Sequence, residues 1–371
     1  MAVYKLFPEK DATLYSEYPV MNTGIDQILE ANAYQNVAGA YHASRYLVKF
    51  ATANILETIQ TLASGSALDT YLKLYTAKST GLNQQVLLEI NPISGSWNNG
   101  TGKYLDNPQT VNGVSWTYTD LSGSTPWATA GFDFNVTASF PSNIAGGGCW
   151  YTATSLGDPL TVTASFEYRT TTDITVKVTD TVLNWFSGSI PNEGFILRQS
   201  TDTEFLEEPG KNIELKYFSV DTSTIYPPQL EIRWDDFIRE TGSLTEVTTA
   251  ETVVTLSNNS DNYNPDTVKK FRLNVRPQYP TQVFTTSSIY TTNHILPEQT
   301  YWSIQDLYTN ETVIDFDTVY TKVSCDSNGN YFTVYMNGLE PERYYKILVK
   351  TTINGSTAIL DNEQYFKVIN S

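Results

Sequence analysis

Residues 174–198 read ITVKVTDTVLNWFSGSIPNEGFILR, and residues 213–234 read IELKYFSVDTSTIYPPQLEIRW. Ile174, Val176 and Val178 alternate with Thr175 and Lys177, the period of a half-buried strand. Val178 to Trp185 then makes one amphipathic turn. Gly188, Pro191 and Asn192 break the chain, because each favours a turn conformation. An apolar strand follows at Gly194 to Leu197, and two alternating strands close the segment. Strands with polar turns between them predict an all-β domain.

The same pattern extends outward. Asp11–Tyr15 reads as a short strand, and Gln27–Ala31, Arg45–Phe50 and Leu68–Tyr75 alternate apolar with polar residues. Val86, Leu88 and Ile90 repeat at every second position, with Leu87 and Glu89 opposite. Ser94 to Trp116 is a long polar stretch with Trp97, Tyr104 and Trp116 embedded; a loop of that length packs on itself or carries function. Residues 120–158 read as an insertion. Its Gly146-Gly147-Gly148 runs into Cys149-Trp150-Tyr151, whereas a phosphate loop needs Lys and Ser or Thr entering a helix. The expectation here is a flexible hairpin or arm.

The order of elements over 173–234 resembles the end of DNRLRE domains. Asp11-Ala12-Thr13-Leu14 ahead of Asn22-Thr23-Gly24 is similar to the start of that family, and Arg45-Tyr46-Leu47-Val48-Lys49-Phe50 looks like its R-x-L-L-x-F strand. The resemblance covers roughly residues 5–235. It implies a jelly-roll β-sandwich related to carbohydrate-binding modules, a family that binds or builds and rarely catalyses.

A polar connector at Asp235–Gly242 leads to a second pattern. Asn328-Gly329 and Asn354-Gly355 lie between strand-like runs, and Asn-Gly favours two-residue hairpin turns because both residues accept positive φ. Leu339-Glu340-Pro341 followed by Tyr345, Ile347 and Val349 resembles the tyrosine corner of fibronectin type III and immunoglobulin-like sandwiches. Lys270–Ile369 reads as one such domain. Residues 243–268 read as its first strand or as an extended arm. The expected organisation is a carbohydrate-binding-module-like β-sandwich over 1–240, with the insertion at 120–158, followed by an Ig/fibronectin-III-like β-sandwich over 241–371. This layout resembles virion structural proteins of contractile-tailed marine phages, those of picocyanobacteria especially. The resemblance implies a non-enzymatic component of the tail, baseplate, neck or capsid, assembled in the host cytoplasm. Its expected partners are other phage structural proteins, as a homo-oligomer or ring, with glycan-binding host adhesion as the alternative function. Residues 120–158 and 243–268 are the expected contacts, since arms with little core of their own order on a partner.

Composition narrows the function. Tyr and Thr abundance suits strands. The net charge of −17, with 23 Lys and Arg against 40 Asp and Glu, offers no basic face for nucleic acid. No segment has the ~20 apolar residues of a membrane span, and MAVYKLFPEKD lacks a signal-peptide core. Cys149 and Cys325 form no disulfide framework.

Candidate sites are sparse. His42 and His294 are the only histidines, with no zinc-ligand spacing around them. Glu207-Glu208, Asp235-Asp236, Asp315 and Asp317 are acidic neighbours that read as solvated turns. Asp11, Asn22 and Asp235 sit at strand ends where related sandwiches hold a calcium, but the dense acidic run of a self-contained loop is missing. Trp97, Tyr104, Trp116, Trp127, Trp150 and Tyr151 could be core, protein interface or sugar platform. No catalytic, cofactor or metal residue is therefore assigned.

Overall fold

The computed structural model describes residues 2–82, 85–127, 133–134, 146–204, 212–249, 251–280, 293–361 and 363–370. The chain is all-β and forms two compact units. The first comprises Leu6–Leu62 and Asp69–Glu231. The second comprises Met1–Lys5, Ala63–Leu68 and Ile232–Ser371.

In the first unit a long antiparallel sheet runs in the order Val162–Phe166, Val86–Pro92, Phe195–Gln199, Tyr41–Phe50, Pro8–Tyr15. Both of its faces are covered. Ala12, Leu14, Leu47 and Ile196 pack with Trp97, Trp116, Trp127 and Trp150. On the other face, Tyr46 meets Tyr217 of the Glu214–Phe218 strand, with ring centroids 5.6 Å apart. Double coverage explains why Ser44, Arg45 and Tyr46 are all buried, although the sequence alternates there. Glu214–Phe218 is itself the centre of a smaller sheet, flanked by Ile28–Glu30 and Thr76–Thr80. The expected amphipathic turn is the helix Thr179–Ser187, closed by Gly188 at φ 75°. Its Trp185 packs on Phe195 at 4.7 Å.

The expected insertion contributes to this core. Its flanks carry Trp127, Cys149 and Trp150, all buried in the tryptophan layer, while 128–132 and 135–145 lie outside the described residues. The three glycines are a wedge and not a hinge. Gly147, at φ 81°, passes so close to the Arg45 guanidinium that a Cβ would sit 2.6 Å from Nη1.

The second unit stacks two sheets. One orders Thr252–Leu256, Val268–Pro277, Gly329–Tyr335 and Ser324–Asp326. The other centres on Arg343–Ile353, paired with Thr300–Asp306, Ser356–Leu360 and Tyr365–Val368. Between them Phe271, Phe332 and Trp302 stack, with centroids 5.5 and 5.0 Å apart. Tyr345 is buried and its hydroxyl donates to the Glu340 carbonyl at 3.0 Å, the bond a tyrosine corner requires. Asn354-Gly355 forms the expected turn, both residues at positive φ. At the other hairpin the turn is displaced by one residue: Asp326 pairs with Gly329, so Ser327-Asn328 turn and Gly329 begins the strand. The Asp326 carboxylate accepts the Asn328 N–H and fixes that register. Residues 243–268 are no loose arm, because Val247, Val254 and Tyr263 are buried and Thr252–Leu256 pairs along Val268–Pro277.

Candidate functional site

The residues with the strongest chemistry serve the scaffold. Arg45 is fully buried; its Nε and Nη2 donate to the Glu204 carboxylate at 2.6 and 2.8 Å, and Nη1 donates to the Gly147 carbonyl. Its guanidinium lies over Trp116 and Trp150 at 4.7 and 5.4 Å. Arg198 extends the chain of charges to Glu204 and Glu89. Buried charges need this degree of pairing to be tolerated.

The Asn22-Thr23-Gly24 motif is a pin. Asn22 Nδ2 donates to the carbonyls of Asn99 and Val114 at 2.7 and 2.8 Å, and Oδ1 accepts the Gly102 and Gly24 N–H groups. Gly100 must be glycine, since a Cβ there would lie 2.4 Å from Asn22 Oδ1. Thr23 exchanges bonds with the Thr13 backbone. The long 94–116 loop is thus tied to the sandwich through the Asn22 amide, with Trp97 Nε1 donating to the Glu193 carbonyl and Asn99 Nδ2 to the Gly24 carbonyl beside it.

These and similar bonds engage one oxygen of each residue suggested for calcium. Asn22 Oδ1 serves two backbone donors, Asp11 Oδ2 accepts the Val220 N–H at 2.7 Å, and Asp235 caps Phe237. Burial pushes the Asp11 carboxyl up to about 8, assisted by Asp221 and opposed by the Val220 bond. Among the described residues no group of three His, Cys, Asp or Glu side chains could hold a metal. His42 lies on the Tyr41–Phe50 strand between Ser16 and Asn36, and His294 faces Thr245. Asp315 and Asp317 cap backbone N–H groups, and Glu207-Glu208 lie outside the described residues. Trp97, Trp116, Trp127 and Trp150 are core, which removes them as a sugar platform. Only Tyr104 of the six aromatics is well exposed.

Tyr104 marks the site that sequence reasoning missed. It borders an open groove of about 660 Å³ in the first unit, lined also by Tyr15, Glu17, Glu30, Tyr34 and Lys216. A second hollow of about 340 Å³ adjoins it through Glu17 and is walled by Tyr18, Pro19, Val20, Met21 and Leu105. The floor comes from strands far apart in sequence: Pro8–Tyr15, Ile28–Glu30, Ala33–Gln35 and Glu214–Phe218. The pinned loop supplies the rim. There the Asp26 carboxylate accepts the Tyr104 N–H at 3.0 Å, and the Tyr104 ring meets Tyr15 and Tyr18 at 5.1 and 6.0 Å.

The groove is acidic. Glu17 accepts bonds from the Tyr34 hydroxyl at 2.6 Å and the Asn36 amide at 3.2 Å. Glu30 pairs with Lys216 at 2.8 Å, and Glu214 with Lys78 at 2.7 Å. Burial, then the bond to Glu17, raises the Tyr34 phenol. Burial, then Tyr18 and the Glu30 charge, pushes Tyr104 up to about 12. Burial lifts Asp26 to about 6, against the Tyr104 N–H and with help from Glu30. Anions are disfavoured here, first by desolvation and then by each other.

No protein-family model matches the chain, and no curated protein matches it. A solved structure with some similarity is a DUF4785 family protein from Legionella pneumophila, 9% identical over 100% of this chain and 68% of that one, at a TM-score of 0.18. Superposition that poor carries no argument about fold or function.

Proposed function

We propose that this chain is a non-enzymatic structural component of a tailed-phage virion, placed in the tail, baseplate, neck or on the capsid, and working through protein–protein contacts. One observation supports the reading above the others. Arg45, Glu204 and Arg198, three of the buried ionisable groups of the first unit, are bonded to each other and to backbone, so they stiffen a body and do not face a cleft as a paired acid and base. What such a body offers a partner is shape, loops and an open groove. The acidic net charge agrees with a protein that stays soluble until it assembles.

Mass spectrometry of purified particles tests the reading. The chain is expected at fixed stoichiometry in particles freed of host protein, and the purified chain is expected to leave host glycans uncleaved. Absence from the particles, or turnover of a glycan, overturns it.

A further inference from the structure

We propose that the groove is a socket for a basic segment of a neighbouring protein, with Glu17 as the anchor for its lysine or arginine. This rests on the assembly reading and names the chemistry of the partner. The argument starts from charge. Both donors to Glu17, the Tyr34 hydroxyl and the Asn36 amide, are neutral. They satisfy its geometry and leave its charge uncompensated. Burial lowers the pKa of His42, against the pull of the Glu17 charge, and so disfavours its cationic form. Of the three carboxylates among the described lining residues, Glu214 pairs with Lys78 and Glu30 with Lys216, and Glu17 is the one whose bonds come from neutral groups.

Ring faces add to the pull. Tyr18 and Tyr104 lie beside Glu17, with buried Tyr15 packed behind Tyr104, and a cation set over a phenol ring gains electrostatic attraction that no neutral ligand gains. A guanidinium suits this best, because it can meet a carboxylate through two N–H groups while stacking on an aromatic ring. The adjoining hollow has an apolar side of Pro19, Val20, Met21 and Leu105 facing Asp106 and Gln109, and it shares the same glutamate. It fits a neighbouring apolar side chain of the same segment. Leu105 holds φ 54° while 56% exposed, its N–H donating to Met21 Sδ. A phosphorylated glycan or a nucleic acid would be repelled by the same carboxylates.

The test uses the full chain and three probes: the peptide acetyl-Gly-Arg-Leu-Gly-amide, its citrulline counterpart, and an oligosaccharide released from host lipopolysaccharide. Backbone amide shifts of Glu17, Tyr104 and Leu105 report occupancy. The arginine peptide is expected to shift them, and more weakly as salt rises. The citrulline peptide is expected to bind about tenfold less tightly. Glu17→Gln keeps the bond to Tyr34 and is expected to weaken the arginine peptide to the citrulline level; Leu105→Ser is expected to weaken both peptides. Equal binding of the two peptides overturns the proposal. So does oligosaccharide binding at these amides with the arginine peptide silent, which would make the groove a glycan site. In the particle, wild-type levels of the Glu17→Gln chain overturn the socket but leave the structural reading standing. Absence of the wild-type chain overturns that reading whatever the peptides do.

Discussion

The two units solve the same packing problem with different materials. The second fills the space between its sheets with stacked rings, Phe271, Phe332 and Trp302, closed by the Tyr345 corner. The first lays its tryptophans over a charged chain, Arg45 to Glu204 to Arg198 to Glu89, and holds its longest loop by the amide of Asn22. An apolar core tolerates change in proportion to the volume lost. A charged core tolerates replacement of the whole network but not the loss of one partner. The first unit should therefore be specific and brittle, and the second graded.

The sharpest break of that comparison is Glu204→Gln. It leaves two buried guanidinium groups facing a neutral amide and is expected to cost the first unit about 4 kcal/mol. Urea unfolding followed by hydrogen exchange would locate the loss, and a loss shared equally by the second unit would dissolve the distinction. Phe332→Ala in the second unit is expected to cost about 3 kcal/mol through the cavity it opens, while Phe332→Leu costs a fraction of that. If both cost the same, packing there is not graded by volume.

Acid acts with opposite sign on one carboxyl of each unit. Asp26 in the first unit has its folded pKa raised to about 6. Its protonated form is favoured by folding, so its contribution is full below the unfolded value and is lost as pH rises through about 6. Discounted for its partial exposure, the loss is about 2 kcal/mol, and Asp26→Asn should flatten it. Asp326 in the second unit is held down at about 2 by its bond to Arg272. Its contribution is full above the ordinary carboxylate range and is lost as pH falls through about 2. Thermal unfolding of the wild type and Asp26→Asn between pH 3 and pH 7 reads the first effect by difference; identical pH profiles for the two would contradict it. The smallest expected effect is Tyr345→Phe, about 1 kcal/mol for the unpaired Glu340 carbonyl, confined to the second unit and visible in its unfolding midpoint.

Several elements were legible because their signals are local. Period-two alternation gives the strands, Asn354-Gly355 gives its turn through two positive φ values, and Leu339-Glu340-Pro341 before Tyr345 gives the corner. The role of Arg45 as a scaffold residue was not legible. Its strand reads as half-exposed, and nothing local says that 116, 147, 150 and 204 will converge on one side chain. Gly146-Gly147-Gly148 misleads for the same reason, since three glycines suit a hinge or a close approach equally well until the neighbour is known. The loop tryptophans read equally as core or surface, because Trp serves both.

The groove lies furthest from the sequence. Glu17, Glu30, Tyr104 and Lys216 come from four separate segments, and each alone is an ordinary surface residue. By itself the sequence determined the all-β class, the corner and one hairpin turn, because alternation, φ preference and short-range bonds are written in neighbouring residues. Only the tertiary structure decided which charges are buried, which loop is tied down and where a groove opens. Those depend on desolvation and on contacts between residues far apart in the chain, such as Asp11 with Val220 at a separation of 209, and no local pattern encodes them.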